Sequence, residues 1–139
     1  LCAPITGQIA AIEALRGGFK SVSEMKREYR RRRRFMVEAL NAIGLPCHNP
    51  AGAFYVFPSI KNTGKSSLDF AKDLLHKKKV ALVPGVAFGK SGEGYVRISY
   101  ASSYENLKEA ITRMASYLGK TYRMEEACLS DGSGRQESH

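Results

Sequence analysis

Ile5, Ile9, Ile12 and Leu15 recur at three- and four-residue steps and predict a short helix over 4–16. Gly17-Gly18 is expected to stop it. Ser21 stands three residues before Glu24, the spacing of a capping box, so a second helix is expected to begin there. Val22, Met25, Tyr29, Met36, Leu40 and Ile43 follow on one face. That helix would run for roughly 22 residues, about 33 Å long. Gly44 and then Pro46 supply the stop signals.

Shorter elements follow. Cys47 to Pro50 reads as a brief edge strand, Ala51-Gly52 as a turn, and the aromatic and β-branched run from Ala53 to Phe57 as a strand closed by Pro58. Residues 61–67 read as a loop. Ser66 caps a helix over about Ser67 to Lys77, with Asp69 in its first turn and Leu68, Ala71, Leu74 and Leu75 on its face. Val80 to Val83 is an apolar strand, and a glycine-rich loop runs on to Gly94. From Tyr95 to Tyr100, alternation places Val96, Ile98 and Tyr100 on one face and Tyr95, Arg97 and Ser99 on the other. Ser102 and Glu105 have capping-box spacing ahead of a last helix carrying Leu107, Ala110, Ile111, Met114 and Leu118, stopped by Gly119. From 120 onward the pattern fails and a disordered tail is expected. The fold class is therefore α+β: a two-layer sandwich of three or four strands with helices on one face, plus the long N-terminal helix.

Charge sharpens the picture. The chain of 139 residues carries a net charge of +9. Two clusters, Arg30 to Arg34 and Lys77 to Lys79, account for all but one of these excess charges. Five consecutive arginines on a helix spread over every face, so Arg32 or Arg33 must fall on the apolar stripe and snorkel outward. A nucleic-acid recognition helix would gather them on one side, so a solvated helix is the better reading. The lysines fall at a helix C-terminus, where cations meet the negative end of the dipole. Cys2, Cys47 and Cys128 are odd in number and far apart, which argues against zinc and against a disulfide scaffold and for a reducing compartment. No apolar run reaches the length of a membrane span. A chain opening on Leu1 reads as a piece of something longer.

Little of the sequence carries chemistry on its own. His48, His76 and His139 are scattered, with no partner spacing for a metal or a triad. Gly64 to Ser67 (GKSS) lacks the earlier glycine of a phosphate-binding loop, since Ser59 stands in its place. Arg97 differs. It lies mid-strand between Val96 and Ile98, and a guanidinium in a sheet needs a partner. Its planar fork suits a carboxylate, either an internal Asp or Glu or one brought by a ligand.

Three motifs bear on that choice. Pro50 to Tyr55 (PAGAFY), Val83 to Gly89 (VPGVAFG) and Tyr95 to Ala101 (YVRISYA) stand in order. Together they resemble the C-terminal small domain of class I pyridoxal-phosphate-dependent aminotransferases, most nearly the aspartate/prephenate-type branch. The opening CAPITGQIAAIEAL resembles the helix leading into that domain, and the arginine-bearing helix resembles the family's interdomain helix. The likeness runs from Leu1 to Gly119. It implies a linker helix over 1–20 from a missing large domain, a small domain over 21–119 and a tail over 120–139. It implies amino-group transfer between an amino acid and a 2-oxo acid, in an intracellular, cytoplasmic homodimer, with an organelle left open.

By the same resemblance Arg97 would bind the substrate α-carboxylate. Gly85, Phe88 and Gly89 would shape the loop beside it, and Gly52 and Phe54 the strand loop that closes over substrate. The family's Schiff-base lysine and the residues that hold the cofactor belong to the large domain. Neither Lys65 nor Lys90 stands where that lysine should be, so this chain is expected to hold no pyridoxal phosphate and no catalytic or metal-binding residue, and to be inactive alone. The alternative is a stand-alone basic α+β module binding nucleic acid or an acidic partner through Arg30 to Arg34.

Overall fold

The computed structural model describes residues 2–122. The expected tail lies outside the described residues from 123 onward, as do Cys128 and His139. The chain divides into an N-terminal helical unit ending at Arg31 and a larger unit beginning at Arg32.

The first unit holds α1 (Ile5–Gly17) and the start of α2 (Phe19–Ala42). The expected break at Gly17-Gly18 shrinks to one residue. Gly18 keeps a right-handed helical backbone, its N–H bonds the Ala14 carbonyl at 2.9 Å, and Val22 N–H bonds the Gly18 carbonyl at 3.1 Å. Ser21 therefore lies inside the first turn of α2 rather than capping it. Glycine adopts helical angles freely when its hydrogen bonds continue, and a Cβ at Gly18 would lie 2.4 Å from the Ala14 carbonyl oxygen. Ile5, Ile9, Ile12, Leu15, Phe19, Val22 and Met25 are all exposed.

The larger unit begins inside α2. From Phe35 onward its stripe is core: Phe35, Met36, Ala39 and Leu40 are buried. Gly44 ends α2 at φ 82°, and Leu45 N–H returns to the Leu40 carbonyl at 2.9 Å, the six-to-one bond of a Schellman stop. Cys47 to Pro50 is not a strand. The Asn41 side chain accepts the Cys47 N–H at 3.0 Å and donates to its carbonyl at 3.2 Å, which removes Cys47 from any ladder.

The sheet is antiparallel, with β1 (Tyr55–Val56), β2 (Val83–Pro84) and β3 (Val96–Ser99) in the order β1-β3-β2. Tyr55 faces Ser99, Val56 faces Ile98, Val83 faces Arg97 and Pro84 faces Val96. Pro84 is tolerated because β2 is an edge. The expected strand over Val80 to Val83 survives only at Val83. Lys79, in the left-handed region at φ 56°, caps α3 (Ser67–Lys78), and Val80 N–H turns back to the Leu74 carbonyl at 3.5 Å. The predicted alternation in β3 holds: Val96, Ile98 and Tyr100 are buried together. Phe70, Ala71 and Leu74 of α3 and Leu107, Ile111, Met114 and Ala115 of α4 (Tyr104–Tyr117) are buried as well, and the two helices pack on each other. Each such fully buried aliphatic or aromatic side chain contributes about 1.5–3 kcal/mol.

The caps divide. Ser66 accepts the Asp69 N–H at 3.1 Å, as its spacing predicts. The cap of α4 is Ser103, which accepts from Asn106 N–H at 3.2 Å, one residue beyond the expected Ser102. The lysine cluster sits at the end of α3 as expected: Lys77 pairs with Asp73 at 3.1 Å and Lys78 donates to Ser116 Oγ at 2.8 Å.

Candidate functional site

Arg97 stands on the central strand with its side chain on the sheet face opposite Val96 and Ile98. Ser99 shares that face by alternation, and Tyr55 and Val83 share it by register. The half-buried guanidinium lies over two rings at once, its carbon 4.4 Å from the Tyr55 ring centre and 4.5 Å from the Phe88 ring centre. Cation–π attraction from both rings holds the cation in place. Among the described residues Arg97 makes no hydrogen bond and pairs with no carboxylate. The internal Asp or Glu partner left open by the sequence is absent from that set. Five N–H donors are held in place beside two aromatic faces, and a carboxylate is the group that matches such a fork.

Phe88 is delivered by a 3-10 turn, Gly85–Phe88. Its backbone needs Gly85 within the turn and Gly92 in the segment that follows. A Cβ on Gly85 would lie 1.9 Å from the Gly92 carbonyl oxygen, and one on Gly92 would lie 2.1 Å from that of Gly85, so two strands of backbone touch there. Gly89 sits at φ 108°, a conformation that side chains disfavour. The ring of Phe88 also meets Phe57 edge-on at 5.8 Å, and Phe57 stacks on Tyr95 at 5.9 Å. The glycine-rich loop is tied to α3 through Glu93. Its two carboxylate oxygens accept the Ser67 N–H at 2.7 Å and the Ser67 hydroxyl at 2.8 Å. Those bonds, the backbone one first, hold the Glu93 carboxyl below the usual glutamate range.

On the other side, β1 is aimed by the turn before it. Ala53 takes a left-handed φ of 62°, which costs a residue with a Cβ about 1–2 kcal/mol. The buried Tyr100 hydroxyl holds it by donating to the Ala53 carbonyl at 2.8 Å. Arg33 donates from Nη1 to the Pro50 carbonyl at 2.8 Å, while its Nε is buried with no partner among the described residues. Arg32 and Arg33 are half-buried, and Arg30, Arg31 and Arg34 are exposed, the split expected of a five-residue run.

The structure thus brings Arg97 and Phe88 together and places Gly85 and Gly89 in the turn between them. Phe54 lies with its ring 4.3 Å from Tyr55, one ring removed from the arginine. Gly52 is exposed, with open space where a Cβ would go. Tyr55, Ser67 and Glu93 were missed by the sequence reading. Tyr55 sits inside a motif that drew notice, but only the β1–β3 register shows that it shares a face with Arg97.

A separate cluster links α3 to α4. Asp73 accepts from Lys65 at 2.7 Å and from the Tyr117 hydroxyl at 3.0 Å. Lys65, Lys77 and Tyr117, in that order, push the Asp73 carboxyl far down, and the bond to Asp73 raises Lys65. Lys65 is thus engaged with Asp73 within this chain. Among the described residues no group of three His, Cys, Asp or Glu side chains is placed to hold a metal, and no helix is long and apolar enough to cross a membrane.

The family model described as "Aminotransferase class I and II" matches residues 1–114. The chain belongs to this aminotransferase family. An aspartate aminotransferase of Pyrococcus abyssi is 55% identical over 113 residues, 80% of this chain and 29% of its own. The aromatic-amino-acid aminotransferase 2 of Thermococcus litoralis is 53% identical over 113 residues, again 80% and 29%. The crystal structure of an aromatic aminotransferase from Pyrococcus horikoshii superposes with a TM-score of 0.79 at 52% identity, covering 81% of this chain and 30% of that one. The chain spans about 30% of the length of the curated relatives it matches. Full-length members of the family use pyridoxal phosphate, and an α+β fold of helices on a small antiparallel sheet is common to this chain and those structures.

Proposed function

We propose that this chain is the small-domain part of a pyridoxal-phosphate-dependent aminotransferase, and that Arg97 receives the α-carboxylate of an amino acid or 2-oxo acid. The observation that carries the reading is the Arg97 guanidinium, held over Tyr55 and Phe88 and bonded to no described side chain or carbonyl. On this reading residues 1–20 lead in from a large domain, residues 21–119 are the small domain, and the complete enzyme is a homodimer. Gly85, Phe88 and Gly89 support the arginine from the loop side, and Gly52 and Phe54 lie on the strand loop that would close over substrate. The cofactor supplies the electron sink for amino transfer. It would be held by the large domain, so the chain alone binds none and is inactive. What these residues add is orientation: a carboxylate fixed at Arg97 sets where the rest of the substrate lies.

A chimera tests this. Residues 2–119 would replace the matching segment of the Thermococcus litoralis aromatic-amino-acid aminotransferase, whose identity to this chain makes a workable graft. Amino transfer from phenylalanine to a 2-oxo acid is the expected result. A folded, cofactor-loaded chimera with no transfer would overturn the proposal. The rival reading, Arg30 to Arg34 as a surface for nucleic acid or an acidic partner, would show instead as retention on a phosphate polymer that weakens steeply with salt.

A further inference from the structure

We propose that Glu93 is a positioning residue for Arg97: through Ser67 it fixes the turn that holds Phe88 over the guanidinium. This rests on the carboxylate reading of Arg97 given above. The chain of contacts is short. Ser67, the first residue of α3, is fully buried, and its N–H and hydroxyl both donate to the Glu93 carboxylate. Because the hydroxyl spends its one proton on Glu93, its oxygen is left to accept, and it accepts the Val86 N–H at 3.3 Å. Val86 lies in the same turn as Phe88, two residues earlier. The segment is closed at its base by the Gly85–Gly92 backbone contact and by the Gly85 N–H bond to the Tyr95 carbonyl at 2.9 Å.

Phe88 needs such an anchor. The residue is 47% exposed, so packing alone does not place it. Its ring contacts are Arg97 on the sheet and Phe57 beside it. The position of the ring therefore follows the backbone of its turn, and the Ser67 hydroxyl is the side-chain bond to that backbone. The α3 N-terminus already has its own cap in Ser66, so Glu93 is not required merely to start the helix. A carboxylate is the group that serves here, because both of its atoms facing Ser67 must accept. The amide of a glutamine offers one acceptor and one donor, and the donor would meet either the Ser67 N–H or its hydroxyl. One bond of the relay must then break or reverse.

The test uses this chain, labelled for NMR. The Arg97 Nε–H signal, identified by its loss in Arg97→Lys, should stand upfield of the other arginines because of the two rings, and should shift saturably with acetate. In Glu93→Gln we expect that upfield displacement to fall by half or more and the acetate Kd to rise at least threefold. The core signals of Ile111 and Met114 should stay in place, which separates loss of positioning from loss of fold. Ser67→Ala removes the relay but keeps the backbone bond to Glu93, and should give the same loss in Arg97 signal. An unmoved Arg97 signal in either folded variant, with acetate still binding the wild type, would overturn the positioning role alone. No acetate response in the wild type would instead strike the carboxylate reading. If neither variant folds, amide exchange in the wild type decides: Ser67 and Val86 should be protected together, and Ser67 exchanging as a free amide would overturn the proposal.

Discussion

Replacing Arg97 by lysine in the chimera separates a ligand-binding arginine from a structural one. Lysine keeps the charge but loses the two parallel N–H donors that match a carboxylate. In the structure Arg97 makes no bond to another described residue, so the fork has nothing internal to lose. A bidentate charged pair is worth more than a neutral bond, and its loss should cost about 2–3 kcal/mol in transition-state binding, or roughly 30–150-fold in kcat/KM. The internal cost is confined to the contacts with Tyr55 and Phe88, which for a half-exposed cation come to about 1 kcal/mol or less, a few degrees in Tm. Phenylalanine and its decarboxylated counterpart, phenethylamine, are the paired substrates. The amine has no carboxylate to present, so its slow reaction should change by no more than about twofold. Cofactor binding should barely move. Equal losses for the two substrates, or a large fall in Tm, would refute the reasoning, because both are what an arginine serving only the fold would give.

Other outcomes follow from the same geometry. The isolated chain mixed with pyridoxal phosphate should acquire no borohydride-trapped lysine that survives dialysis; one stoichiometrically modified lysine would contradict this. Gly85→Ala should destabilise by about 1–3 kcal/mol in denaturant titration, since its Cβ would meet the Gly92 carbonyl, whereas Gly52→Ala, in open space, should stay within about 0.5 kcal/mol; equal costs would count against the backbone contact. Glu93 is held below its ordinary 4.5, so its contribution is present above that value and lost as pH falls through the lower folded value. The gap in Tm between wild type and Glu93→Gln should therefore close on acidification, and a gap independent of pH would show that the carboxylate charge is not what matters. In the isolated chain, amides from Ile5 to Glu28 should exchange fast, while Met36 and Leu40, both fully buried, should be protected.

Much of the fold can be read locally, because its signals are local. The order of helices and strands, the Ser66 cap, the Gly44 stop and the alternation of Val96, Ile98 and Tyr100 each depend on residues within a turn or two. The misreadings share a cause: a local signal had an equally good local rival. Ser21 could have begun a helix, but the chain through Gly18 could also continue one, and the hydrogen bonds were better kept. Ser102 and Ser103 both precede α4, and the bond to Asn106 N–H selects the second. Cys47 has strand neighbours, yet a single asparagine side chain satisfies its backbone more cheaply than a lone edge pairing would. Met25, Tyr29 and Met36 fall on one stripe by their spacing. The stripe is continuous in sequence, but it becomes core only from Phe35, whose ring lies 4.9 Å from that of Tyr104, and Met36 is buried with it.

The site is less legible because it is made of long-range contacts. Arg97 stood out as a charge in an apolar strand, and Phe88 through a motif, but neither says that the two meet. Tyr55 joins them only because β1 pairs with β3 in a register that sets it against Ser99, and a shift of one residue would have put Val56 on that face instead. Glu93 looks like any loop carboxylate until Ser67, 26 positions earlier, is found beneath it. Arg33 is the sharper case. Within five arginines the helical pattern narrows the choice to Arg32 or Arg33, and the bond to the Pro50 carbonyl then places Arg33. The run also belongs to the site's support in part, since the Pro50 that Arg33 holds begins the turn whose next residues, through the left-handed Ala53, carry Tyr55 to the arginine that matters.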